Sequence, residues 1–171
     1  MDKRYNTKHF VTLAMLLAVA FVLSWIEYMI ALPMIIPGIK IGLANLAILF
    51  SLYYCGSKDT ISVLLGRLLL NALLFGNIVS LIYSAAGGLL SYIIMSLCKK
   101  ILNERMVGVS IIGGVVHNIG QLAAAMVVLR TIYILYYLPY LIVGGIAAGA
   151  VNGFVVKKIL SCSYFSVNHS E

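Results

Sequence analysis

Residues 9–30, HFVTLAMLLAVAFVLSWIEYMI, are almost continuously apolar, with one carboxylate, Glu27, close to the far end. A run of this length matches the ~20 residues that a helix needs to cross a ~30 Å hydrocarbon core. It exceeds the apolar region of a secretory signal and is followed by no small-residue cleavage site. It therefore reads as a retained first helix behind the basic Lys3, Arg4 and Lys8. The rest of the chain has the same character. Of its 171 residues, 63% are hydrophobic and 10% charged, with a mean hydropathy of +1.06, whereas roughly a quarter of the residues in a globular domain are charged. The chain reads as an all-α, polytopic membrane protein. Its length accommodates about six spans of ~20 residues and leaves no material for a separate soluble domain. Residues 1–160 thus form one six-helix transmembrane domain, and residues 161–171 form a polar cytoplasmic tail.

Apolar runs and breakers place the spans near residues 9–30, 41–55, 60–76, 78–97, 107–129 and 133–156, the second being short for a full crossing. With the amino terminus inside, Lys3, Arg4, Lys8, Lys58, Lys99, Lys100, Arg105, Lys157 and Lys158 fall on the cytoplasmic side. Only Lys40 and Arg130 fall outside, and Arg67 sits within a span. The positive-inside bias therefore puts both termini in the cytoplasm of a multi-pass cell-membrane protein. The net charge of +7 is accounted for by this topology and does not call for a nucleic-acid partner. The three cysteines, Cys55, Cys98 and Cys162, lie near span ends without CxxC or Cys/His spacing, which predicts neither a disulfide nor a metal site.

Between the first two spans, Pro37-Gly38-Ile39-Lys40-Ile41-Gly42-Leu43-Ala44-Asn45 brings a turn, a lysine and an amide to the start of a membrane helix. An unpaired polar group in hydrocarbon costs several kcal/mol, so these residues are expected to meet something. Glu27, Lys40, Asn45, Asn71, Asn77 and Gln121 all fall in the outer half of the bundle, with Arg67 and His117-Asn118 nearer the middle. Arg67 and Asn71 are four residues apart and share a helix face; Gly114, His117 or Asn118, Gln121 and Ala125 make a second stripe. Two polar faces can converge on a cavity open to the exterior. The expected substrate-binding set is Lys40, Asn45, Arg67, Asn71, His117, Asn118 and Gln121, and its excess of basic groups favours an anionic or phosphate-bearing ligand. A structural role competes at each position: Arg67 can pair with Glu27, and His117, Asn45 and Asn71 can bridge helices.

Small residues mark faces where helix backbones approach closely: Ala14 and Ala18 on the first helix, Gly145, Gly149 and Gly153 on the last, and Gly87-Gly88 and Gly113-Gly114 inside the bundle. The Ala14/Ala18 face can also dock another membrane subunit. Tyr133, Tyr136, Tyr137 and Tyr140, with Tyr28 and Tyr83 at similar depth, read as an interfacial aromatic belt or the mouth of a pocket. No Walker A loop, aspartate-rich cluster, nucleophile elbow or carboxylate pair occurs, which leaves no recognisable catalytic site, no cofactor or metal requirement, and no means of hydrolysing ATP within this chain.

The Pro37–Asn45 segment, Gly66-Arg67 leading to Leu73-Leu74-Phe75-Gly76, and Gly113-Gly-Val-Val-His117-Asn-Ile-Gly-Gln121 resemble the Gx transporter family, long labelled heptaprenyl diphosphate synthase component I. That family is in turn similar to the S components of energy-coupling-factor transporters. Those are six-helix proteins that capture a small molecule outside and pass it inward with a T-component membrane subunit and two ATPases. The resemblance implies that Ala14-Met-Leu-Leu-Ala18 is the docking face for a T component, and that the substrate is a small molecule of the flavin, quinone or isoprenoid classes. The older label implies instead a non-catalytic membrane subunit of a prenyl diphosphate synthase or electron-transfer complex.

Overall fold

The computed structural model describes residues 3–31, 42–75, 78–102 and 105–162. These contain six α-helices: α1 Lys3–Ala31, α2 Asn45–Tyr54, α3 Ser57–Phe75, α4 Ile78–Leu102, α5 Met106–Leu129 and α6 Leu138–Leu160. A 3-10 turn, Tyr133–Tyr137, leads into α6, and no strand occurs among the described residues. Four segments are long and apolar enough to cross a membrane: Thr7–Met29, Ile78–Ile101, Met106–Leu129 and Tyr133–Leu160. The 19 residues of α3 span ~28 Å at ~1.5 Å per residue, but α3 carries Lys58, Asp59 and Arg67. The 10 residues of α2 are apolar but too few for a full crossing.

The second helix begins later than its apolar run because Gly42–Ala44 is used in a turn. Asn45 N–H donates to Gly42 C=O at 3.0 Å and Leu46 N–H to Leu43 C=O at 3.0 Å. Gly42 has φ +96°, a left-handed conformation that glycine adopts without penalty. Beyond its first residue α2 is apolar except for Ser51, which accepts from Thr60 Oγ1 at 3.1 Å, and Ala47, Ile48, Leu49, Phe50 and Leu52 are all buried. A helix of that kind belongs inside a bundle, and α2 packs against α1, α3, α4 and α6.

Such a short buried helix has little beyond its own ends with which to satisfy its terminal backbone groups, and neighbouring helices supply the partners. At the N-terminal end, Glu27 of α1 accepts from the backbone N–H of Gly42 and, at 3.1 Å, of Leu43. At the C-terminal end, Lys99 of α4 donates to Leu52 C=O at 2.7 Å and lies 4.8 Å from the centre of the Tyr53 ring. Cys55 and Gly56 N–H both return to Ser51 C=O, with Gly56 at φ +96° as the terminating glycine. An anion at the start and a cation at the end also match the helix dipole.

The helices alternate in direction. His9 of α1 meets Asp59 of α3 at 3.3 Å and Leu17 lies against Gly66, so α1 and α3 run parallel. Ser91 and Met95 of α4 lie against Gly113 of α5, while Gly87 lies against Gly120, an antiparallel register. Glycines set the closeness of the last three helices. A Cβ on Gly149 would stand 2.6 Å from Ser110 O, one on Gly145 2.9 Å from Gly114 O, and one on Gly87 2.7 Å from His117 O. The Gly145/Gly149/Gly153 face thus packs on α5 within the chain. This alternation gathers Lys8, Lys58, Lys99, Lys100, Arg105, Lys157 and Lys158 at one end of the bundle.

The outer surface is apolar. Leu73, Ile78, Ile101, Val127, Val143 and Phe154 are each more than 60% exposed, a surface suited to lipid rather than water. Tyr133, Tyr136 and Tyr140 are exposed at the end opposite the basic cluster, whereas Tyr83, expected in the same belt, is buried with Leu122, Ala125 and Ile134. Ala14 and Ala18 lie on an exposed face of α1 beside Val11, Met15 and Val22.

Candidate functional site

The half of the bundle away from the basic end is polar inside. Ser24 and Glu27 of α1, Gly42 before α2, Arg67 and Asn71 of α3, Ser84 of α4 and His117 of α5 line one cavity of ≈ 10 Å³, room for about one water molecule. Each of the six side chains is more than nine-tenths buried. The i, i+4 spacing of Arg67 and Asn71 aims both from one face of α3, and the i, i+3 spacing of Ser24 and Glu27 does the same from α1.

The hydrogen bonding is uneven. Ser24 Oγ donates to Ala20 C=O at 2.9 Å within its own helix. Glu27 Oε1 takes the two amides ahead of α2, and Asn152 of α6 donates to Gly42 C=O at 3.1 Å, so Gly42 is held from α1 and α6 at once. His117 Nε2 is 3.0 Å from the Gln121 amide nitrogen one turn on. By contrast Arg67 Nε, Asn71 Oδ1, Ser84 Oγ and the nearby Asn45 Nδ2 have no partner among the described residues. A buried donor or acceptor left unmatched costs about 1–3 kcal/mol. Three such atoms belong to residues around one cavity, which is the pattern of a site that meets its complement in a ligand or water.

Arg67, Asn71 and His117 therefore come together, with Gln121, fully buried, behind His117. Asn45 lies beside Gly42, its amide 3.4 Å from where a Gly42 Cβ would stand. Asn118, one position from His117 and so ~100° around the helix, faces the other way and donates to Leu141 C=O of α6 at 2.7 Å. It bridges α5 and α6 and is not a cavity residue. Lys40 and Asn77 lie outside the described residues. Glu27 and Arg67 share the cavity, but the carboxylate is bonded to backbone amides. Ser24, Glu27, Gly42, Ser84 and Asn152 were not among the expected site residues. Glu27 and Gly42 were visible as polarity and turn, while a serine in a membrane helix gives no signal of its own. Among the described residues no group of three His, Cys, Asp or Glu could hold a metal ion.

Long apolar helices, an apolar exterior and a polar internal cavity define a helical membrane-type protein. Within that class the chain belongs to the family described as heptaprenyl diphosphate synthase component I, whose model matches residues 16–159, from the middle of α1 to the end of α6. No curated protein and no solved structure matches it.

Proposed function

We propose that this chain is the substrate-binding membrane subunit of a transporter, resembling the S components of energy-coupling-factor systems. In this reading all six helices are embedded in the cell membrane, with both termini cytoplasmic. The chain works with a T-component membrane subunit docked on the exposed Ala14/Ala18 face and with ATPase subunits that supply the energy. The observation that carries the proposal is the convergence of α1, α3, α4 and α5 on a cavity with unmatched buried polar atoms on Arg67, Asn71 and Ser84. A scaffold would gain nothing from such atoms, because a dry bundle is more stable with apolar side chains in their place. The substrate is a small molecule of the flavin, quinone or isoprenoid classes. Since ligand pockets run to ~300–1,000 Å³, binding requires the helices around the closed cavity to part.

Purified protein should bind one of these molecules, and Arg67→Ala or Asn71→Ala should weaken binding at least about tenfold, the effect of losing ~1.4 kcal/mol. Unchanged affinity in both variants would remove α3 from the site. The family description supports a second reading, a non-catalytic membrane subunit that accompanies a synthase. Co-purification separates the two: a T-like subunit with ATPases supports transport, and a soluble prenyl synthase as sole partner supports the accessory role.

A further inference from the structure

The charge of the cavity bears on what it accepts. An excess of basic residues favoured an anionic ligand, but in the folded chain Arg67 shares the cavity with Glu27 and no second cation from the described residues lines it. His117 Nε2 lies against the Gln121 amide, 3.0 Å away. Guanidinium and carboxylate cancel. A phosphate here would bring its negative charge beside that of Glu27 in a medium of low dielectric, where like charges repel strongly.

Geometry points the same way. The unmatched atoms are of both kinds: Arg67 Nε is a donor, Asn71 Oδ1 an acceptor, and Ser84 Oγ can serve as either. A group with acceptor and donor side by side satisfies all three, as a carbonyl next to an N–H or a hydroxyl does. A fully ionised phosphate ester, which accepts only, leaves Asn71 Oδ1 bare.

We propose that the site reads an uncharged head group bearing a hydrogen-bond acceptor and donor side by side, and that Glu27 excludes phosphorylated forms of the same molecule. This rests on the reading of the chain as a substrate-binding subunit. Glu27 is then a specificity residue as well as the cap of α2. Glu27→Gln keeps an oxygen for the Gly42 and Leu43 amides while leaving the cavity with a net positive charge.

The test uses matched probes that differ only in phosphate, riboflavin against flavin mononucleotide and farnesol against farnesyl diphosphate, together with inorganic phosphate. Binding to detergent-purified full-length protein is followed by thermal shift and equilibrium dialysis. Wild type should bind the uncharged member of one pair at least tenfold more tightly than its phosphorylated partner and show no shift with 10 mM phosphate. Glu27→Gln should narrow that ratio tenfold or more and acquire a phosphate-dependent shift. Tighter binding of the phosphorylated member by wild type would overturn the proposal while leaving the transport reading intact. A phosphate shift acquired by Glu27→Gln when no organic probe binds either protein would instead support the charge balance and count against the substrate-binding reading. If Glu27→Gln does not fold, the wild-type ratio decides, and a ratio near one overturns the proposal.

Discussion

Glu27 is the residue on which most of the structure turns. Its carboxylate joins α1 to the turn ahead of α2 through two backbone amides, and it lines the same cavity as Arg67. Glu27→Ala should strand both amides in the interior at ~1–3 kcal/mol each, a loss seen as a fall in melting temperature in detergent, and Glu27→Gln should recover most of it. Part of this was legible in the sequence. A carboxylate near the end of an apolar run and an Arg67/Asn71 pair at helical spacing announced a buried polar region. The backbone acceptor role of Glu27 was not, because nothing local shows that the Gly42 and Leu43 amides lack helical partners. Spacing could not choose between His117 and Asn118 either. Both are buried, and only the positions of α4 and α6 assign one to the cavity and the other to Leu141 C=O.

At the scale of elements, the glycine-lined contact of α5 with α6 and the enclosed α2 organise the bundle. Gly149 touches Ser110 and Ile111 backbone, whereas a Cβ on Gly144 meets nothing within 4 Å. Gly149→Leu should therefore force the two helices apart at a cost of ~1–3 kcal/mol or more, while Gly144→Ala should leave the melting temperature unchanged. Thermal unfolding of the pair in one detergent checks both. The glycine spacing made this contact legible in advance, since small residues every fourth position serve little else in a membrane helix. The true start of α2 was less so. Apolarity alone extends that helix back to residue 41, and a turn inside an apolar run is marked only by Gly42.

Over the whole molecule, alternating helix directions gather Lys8, Lys58, Lys99, Lys100, Arg105, Lys157 and Lys158 at one end and the exposed tyrosines Tyr133, Tyr136 and Tyr140 at the other. With the basic end cytoplasmic, the exposed Cys162 should react with a membrane-impermeant maleimide only after cells are permeabilised. A cysteine replacing the exposed Tyr136 should react from outside in intact cells. Labelling of Cys162 in intact cells would invert the proposed topology.

The same sorting leaves the polar cavity in the half that faces outward under this orientation, where an extracellular substrate would arrive. The most direct measurement is mass spectrometry of small molecules retained by the full-length protein through gentle purification, compared between wild type and a folded Asn71→Ala variant. The expected result is one compound near equimolar in wild type and at least tenfold depleted in the variant. Equal retention by both, or no compound retained by wild type, would contradict a substrate site built on Arg67 and Asn71.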